Sequence, residues 1–255
     1  MRRWQTVIAL IPFVGFSFSY MGHMARSYEF VAAADRGDTE AVQAGLEEGL
    51  GADSVGNHGR TALEYAAFRG RTDIVRLLLK NEADPERTMA AAMASDIPRI
   101  VVTLAGAGAH LSGPQGVSAL CSAAAQGDCD TVRALMYRGI DINAHRIEGV
   151  KEGETGMTPI LYAARSGSWK TFQILADRGA NLRAQSDDGK TALIYAEGTG
   201  TPDSAIICRY LIHHGADVNA TDDQGETALS VAMSSKSKGA RDMQAVLLQN
   251  GAKIK

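Results

Sequence analysis

The stretch of this chain nearest to reaction chemistry is Ala184 to Thr191, AQSDDGKT, which has the spacing of a phosphate-binding loop. Such a loop needs glycines so that backbone amides can wrap the phosphates, and a lysine to reach them. Here Ala184 stands at the first glycine, and Asp187 and Asp188 would repel the phosphates. The same residues suit a tight turn, for which aspartate is well adapted, and the phrase recurs as DDQGET at Asp222 to Thr227. Neither Asp187-Asp188 nor Asp222-Asp223 reads as a general acid and base, because neighbours on one turn do not converge across a cleft. His213 and His214 stand just before Gly215, where a helix dipole favours a partly positive imidazole. Adjacent helical side chains diverge by roughly 100°, which makes the two histidines a poor chelate. Cys121, Cys129 and Cys208 lack the paired spacing of a zinc site or disulfide framework and read as small core residues. No HExxH or GxSxG motif occurs, and Trp169 falls in an apolar helical position that suits packing. These residues predict a chain without catalysis, cofactor or metal, acting by binding.

Composition agrees with that direction. The 255 residues are 45% hydrophobic and 22% charged, which fits neither a disordered chain nor a multi-span membrane protein. Aromatics make up only 6%, so the core is expected to be built from Ala, Leu, Val and Ile on thin, closely stacked helices. Lys and Arg number 26 against 29 Asp and Glu. Because Arg2, Arg3 and Arg26 lie in or beside an apolar leader, the remainder is more acidic still. That balance argues against a nucleic-acid partner, whose phosphates call for a basic face.

The leader, residues 1–26, contains an uncharged run from Trp4 to Ala25 preceded by Arg2 and Arg3. Its most apolar part, Val7 to Phe18, has the length of a signal-peptide core, and Ser17-Phe18-Ser19 suits cleavage. The full run is also just long enough to span a bilayer, with Trp4 and Tyr20 placed as interfacial anchors. Three readings stand here: a cleaved export signal, a retained anchor and an apolar terminus that is not exported. The first two place the rest of the chain outside the cytoplasm, in the periplasm or its equivalent, with membrane contact only through this segment.

The elements that must position any binding surface repeat along the chain. A helix-opening Thr or Ser recurs at Thr61, Ser118, Thr158, Thr191 and Thr227, and a glycine follows the first four after nine residues, at Gly70, Gly127, Gly167 and Gly200. A second glycine closes each unit at Gly139, Gly179, Gly215 and Gly251. Within TALEYAAFRGRTDIVRLLL, Leu63, Ala66 and Ala67 form one helical stripe, and Ile74, Val75, Leu77 and Leu78 form the next. Neither helix can bury its stripe alone, so units must stack. Asp96 occupies a turn-glycine position, Glu82 occupies a closing-glycine position, and the short step from Glu82 to Arg87 implies a missing hairpin. An insertion, HRIEGVKEGETG, lies at His145 to Gly156.

The phrases RTALEYAAFRGRTDIVRLLLKNEAD, MTPILYAARSGSWKTFQILADRGANLRA and DDGKTALIYA with LIHHGADVNATDDQGETAL resemble ankyrin repeats from about residue 27 to the end. The resemblance implies an all-α ankyrin-repeat solenoid of about seven helix-turn-helix repeats with short β-hairpin loops, preceded by the apolar leader. The repeats fall at about 28–55, 56–86, 87–112, 113–145, 153–185, 186–221 and 222–255, within a domain spanning 27–255. The family's TPLH histidine is replaced by Glu64, Cys121, Leu161, Ile194 and Ser230, which removes a hydrogen-bonding group between repeats.

Family register implies a protein-binding face formed by hairpin tips and first helices. Its expected residues are Asn57, His58, Arg60, Phe68, Arg69, Arg165, Asp187, Asp188, Lys190, Asp223, Gln224 and Glu226. The insertion adds Arg146, Glu148, Lys151 and Glu152. The expected partner is another protein, bound by a monomeric chain. A structural spacer at the membrane, or an inhibitor of a secreted enzyme, are the alternatives.

Overall fold

The computed structural model describes residues 11–147, 153–196 and 201–254. Fourteen α-helices occur among them. The first seven are α1 (Ile11–Arg36), α2 (Thr39–Glu47), α3 (Ala62–Phe68), α4 (Thr72–Lys80), α5 (Pro85–Ala94), α6 (Pro98–Gly106) and α7 (Gly113–Gln126). The remainder are α8 (Cys129–Tyr137), α9 (Pro159–Ser166), α10 (Trp169–Asp177), α11 (Ala192–Tyr195), α12 (Ser204–His213), α13 (Ala228–Ser234) and α14 (Lys238–Gln249). No strand forms among the described residues. The expected hairpins are reduced to single antiparallel bridges at Val55 with Thr61, Gln185 with Thr191 and Thr221 with Thr227.

The chain divides into two compact units: residues up to Ser95 with Thr103–His110, and Asp96–Val102 with Leu111–Lys255. In the first unit α1, α3 and α5 pack in sequence as a first-helix layer, with α2 and α4 side by side as a second. The second unit repeats the plan, with α7, α9, α11 and α13 in one layer and α8, α10, α12 and α14 in the other.

Each layer follows from the stripes in the sequence. Leu63, Ala66, Ala67, Ile74, Val75 and Leu78 are all fully buried, and the alanine pairs Ala123-Ala124 and Ala163-Ala164 are buried in the same way. The pairs are small because helices meet closely there. The first ten residues lie outside the described part of the chain. The helix beginning at Ile11 runs without a break into the first repeat, where Phe30, Val31, Ala33 and Ala34 are buried. Among the described residues no helix is long and apolar enough to cross a membrane.

Of the five helix openers expected from the sequence, three obey the capping chemistry and two are exceptions. Thr61 accepts from the Glu64 amide at 3.1 Å while the Glu64 carboxylate accepts from the Thr61 amide at 2.6 Å, a closed capping box. Thr191 and Thr227 cap α11 and α13 in the same position. Ser118, expected to open a helix, is instead buried in the middle of α7. That helix starts at Gly113 because Ser112 and Gln115 form their own capping box and Pro114 sets the first turn. Thr158, the second exception, makes no cap bond, and its buried hydroxyl has no partner among the described residues.

The worn third repeat keeps the backbone of an intact one. Glu82 and Asp96 take the positive φ that glycine would supply, 66° and 54°. α5 begins directly after Asp84, which caps it through the Glu86 amide, so no hairpin precedes it. Left-handed backbone is strained for a residue with a Cβ, and Glu82 is exposed. Glu82→Gly is therefore expected to stabilise the fold by about 0.5–1 kcal/mol, read as a higher urea midpoint at unchanged slope.

Candidate protein interface

In the first unit, α1, α3 and the loop between α2 and α3 converge on one face. The recess between them is about 220 Å³ and is lined by Tyr28, Val31, Ala32, Asp35, His58 and Tyr65. Tyr65 and Phe68 are one helical turn apart on α3, so both side chains project on that side. Phe68 is 41% exposed, and the Arg69 guanidinium sits 5.9 Å from its ring centroid. Arg69 also donates to the Asp35 carboxylate at 2.7 Å, and this hydrogen bond and charge raise the guanidinium pKa. Arg60 lies 5.9 Å from the Tyr65 ring centroid. His58 is exposed in the short turn Asn57–Gly59, with φ 67°. The structure thus brings the expected His58, Arg60, Phe68 and Arg69 to one face with Asn57 in the adjoining turn, and adds Tyr28 and Tyr65. The signal for Tyr65 was its three-residue spacing from Phe68.

The exposed large apolar side chains of this unit are Tyr28, Val55 and Phe68 among the described residues, and all three belong to α1, α3 or the loop leading into α3. The second-helix layer contributes none of them.

A position expected to have lost its role between repeats has kept one. Glu64, standing where the family has histidine, pairs with Arg87 at 3.4 Å, and Arg87 also donates to the Gly59 carbonyl. These contacts bind the second repeat to α5.

In the second unit the remaining expected residues have intramolecular duties. Asp187 and Asp223 are exposed, but their amides donate to the carbonyls of Thr155 and Asp188, at 3.0 and 3.1 Å, so successive turns are laced together. A Cβ on Gly156 would fall 2.7 Å from the Asp187 amide nitrogen, and φ there is 72°, so the stack requires glycine. Lys190 donates to Asp188 at 2.7 Å, which raises the ammonium pKa. Burial pushes the Asp188 carboxyl up, yet hydrogen bonds from Lys190 and Ser186 outweigh it and hold its pKa below the ordinary value. The amide and ammonium groups that a phosphate would need here serve the turn instead. Gln224 and Glu226 are exposed, and their amides donate to the buried Asp222 carboxylate at 3.0 and 2.8 Å.

The insertion differs most from expectation. Glu148, Lys151 and Glu152 lie outside the described residues. Arg146, expected on a projecting finger, is only 8% exposed and pairs with Asp96 at 3.3 Å. Arg165 is half-buried and donates to Glu154 at 2.6 Å, and the buried Tyr162 hydroxyl donates to the same carboxylate at 3.0 Å. The returning limb of the insertion thus reaches the first-helix layer.

Trp169 packs against Phe172 and Tyr210, as its apolar position implied. His214 stacks on Tyr210 at 4.0 Å, with Nδ1 2.7 Å from the Tyr210 carbonyl oxygen. Among the described residues no group of three or more His, Cys, Asp or Glu is arranged to hold a metal ion.

Comparison with known proteins adds four matches. The model for ankyrin repeats (3 copies) matches residues 29–89, 88–186 and 160–255. An L-asparaginase of Dirofilaria immitis is 29% identical over 184 residues, covering 68% of this chain and 30% of that protein. Ankyrin repeat and KH domain-containing protein 1 of Homo sapiens is 29% identical over 131 residues, covering 51% of this chain and 4% of that protein. The chain therefore spans at most 30% of the length of these two relatives. Among solved structures, the human ASB11 ankyrin repeat domain superposes with a TM-score of 0.65 at 19% identity, covering 89% of this chain and 99% of that one.

Proposed function

The chain belongs to the ankyrin-repeat family, and from that premise we propose that it is a non-catalytic, monomeric module that captures another protein on the first unit's α1, α3 and loop face. The observation that carries this reading is that the first unit's exposed large apolar side chains among the described residues, Tyr28, Val55 and Phe68, all come from α1, α3 and the loop leading into α3. Exposed aromatic area is unfavourable in water at about 25 cal/mol per Å² until something covers it. Aromatic and arginine side chains also carry much of the energy of protein interfaces, and Arg60 and Arg69 lie by the Tyr65 and Phe68 rings. A protein segment with an apolar anchor for the recess and polar groups for the arginines is the matching partner.

The test compares affinity capture by the intact chain with capture by Phe68→Ala/Arg69→Ala. A loss of at least tenfold is expected, while Arg76→Ala/Lys80→Ala on α4 keeps capture intact. Equal capture by all three would sink the proposal and favour a structural spacer.

We further propose that residues 1–26 direct export, as a cleaved signal or a retained anchor, and so place the repeats outside the cytoplasm. The uncharged run from Trp4 to Ala25 behind two arginines supports this. The mass of the mature N-terminus distinguishes the forms, with Tyr20 first after cleavage or Met1 retained in an anchored chain. Recovery of the intact chain in the cytoplasmic fraction overturns export.

A further inference from the structure

The turns that close successive repeats are tied by a recurring contact. The residue two after the closing glycine, or after the Glu82 that stands for one, gives its amide to the side chain four after the closing position of the repeat before. Asp84 donates in this way to Asp53 at 3.0 Å, Asn181 to Asn143 at 2.8 Å and Lys253 to Asn219 at 2.9 Å, and His110 donates to Glu86. Ser112 holds the accepting place once, and it spends its hydroxyl on capping α7 instead. Arg183 holds it between the fifth and sixth repeats, and a guanidinium cannot accept. The amide thus left over is that of Asp217, which has no acceptor among the described residues.

A cavity of about 490 Å³ opens at this junction, with Arg183, Gln185 and Asp217 among its polar walls and Leu182, Leu193 and Ala216 among its apolar ones. Arg183 reaches the closing turn of the sixth repeat, where its Nη2 lies 3.7 Å from the place a Cβ on Gly215 would take. We infer that this junction is a second binding site, for a partner segment that presents a carboxylate beside an apolar side chain.

The carboxylate supplies the acceptor that Arg183 cannot, and takes the Asp217 amide and the guanidinium together in charge-assisted hydrogen bonds. The chain already seats acids in this way, since Asp53 and Glu86 accept the equivalent amides. The closest parallel is Asp84, whose own carboxylate is turned aside to the Glu86 amide at 2.9 Å while its backbone N–H serves a second acid. Asp217 repeats that arrangement, with its carboxylate on the Asn219 amide at 2.9 Å and its N–H left open. An uncharged acceptor would satisfy the N–H and leave Arg183 unpaired, so an acid is preferred. Leu182, Leu193 and Ala216 then cover the apolar neighbour, in a space of the order that holds small ligands. The site lies within the second unit and does not rest on capture at the first.

The test titrates the isotope-labelled full chain with the blocked peptides acetyl-Leu-Asp-Leu-amide, acetyl-Leu-Asn-Leu-amide and acetyl-Leu-Leu-Leu-amide, and follows backbone amides by nuclear magnetic resonance. The aspartyl peptide should displace the Asp217 amide resonance saturably, the asparaginyl peptide should bind about tenfold more weakly, and the leucyl peptide should leave that resonance in place. Arg183→Ala should weaken the aspartyl peptide about tenfold. Arg183→Asn installs the side chain found at Asn143 and Asn219, so it should shift the Asp217 amide before any peptide is added and abolish binding. Arg183 is exposed, and both variants should keep the rest of the amide spectrum. Phe68→Ala/Arg69→Ala should bind the aspartyl peptide as the parent does, which separates this site from the first unit's face. An Asp217 resonance that ignores the aspartyl peptide or answers all three equally would overturn the site, as would undiminished binding by Arg183→Asn.

Discussion

Glu154→Ala is expected to destabilise the chain by about 2–4 kcal/mol, a large effect for a residue in an insertion. The carboxylate is 6% exposed and accepts from the Tyr162 hydroxyl and the Arg165 guanidinium. Its removal leaves a buried phenol without its acceptor, a loss of about 1–3 kcal/mol. It also leaves a guanidinium half-buried against the Tyr162 ring at 5.1 Å. The Arg165 side chain is 32% exposed and can recover water, which holds the total below that of a fully buried broken pair. Glu154→Gln keeps an acceptor and should lose roughly half as much. Urea midpoints of the two variants and the parent check the order, and an unchanged Glu154→Ala midpoint would deny the insertion any structural role.

Alkaline pH provides the second large effect. Burial pushes the Cys121 thiol up to about 12, from an ordinary value of 9.0. Burial, aided by the neighbouring Glu154 carboxylate, likewise raises the Tyr162 phenol above its ordinary 10.0. In both cases the fold keeps a proton that the unfolded chain gives up. Stability is accordingly intact below pH 9 and falls as pH rises. The thiol alone contributes a slope of about 1.4 kcal/mol per pH unit between pH 9 and 12, and the phenol joins above pH 10. Cys121→Ala should therefore flatten the decline between pH 9 and 10 and lower its slope above pH 10, where the Tyr162 phenol still contributes. Urea midpoints measured at pH 8, 9, 10 and 11 test this, and identical profiles for parent and variant would contradict it.

How far the sequence discloses this architecture is best seen residue by residue. Thr61, Thr191 and Thr227 announce helix starts because a hydroxyl must serve the first-turn amides, and the structure uses all three as caps. Glu82 and Asp96 could be placed in glycine positions from register alone, and both keep the left-handed backbone of the glycines they replace. Ser118 misled because periodicity marks a position without telling whether the turn ahead of it survives. The local box of Ser112 and Gln115 overrode the repeat.

The candidate interface was legible where it follows the period. Phe68, Arg69 and Arg60 could be read from family register, whereas Tyr28 sits on α1, where the repeat is poorly marked. The insertion has no period, so nothing in its residues discloses that Arg146 turns back to Asp96, fifty residues earlier. The roles of Glu154 and Tyr162 were hidden for the same reason, because pairings of that kind come from tertiary closeness.

The most direct test of the account is hydrogen exchange on the chain with its captured partner bound. The predicted result is new protection at Tyr28–Asp35 and Asn57–Arg69, with exchange in α8 and α10 unchanged. Protection confined to α8 and α10, with α1 and α3 exchanging as in the free chain, would contradict it.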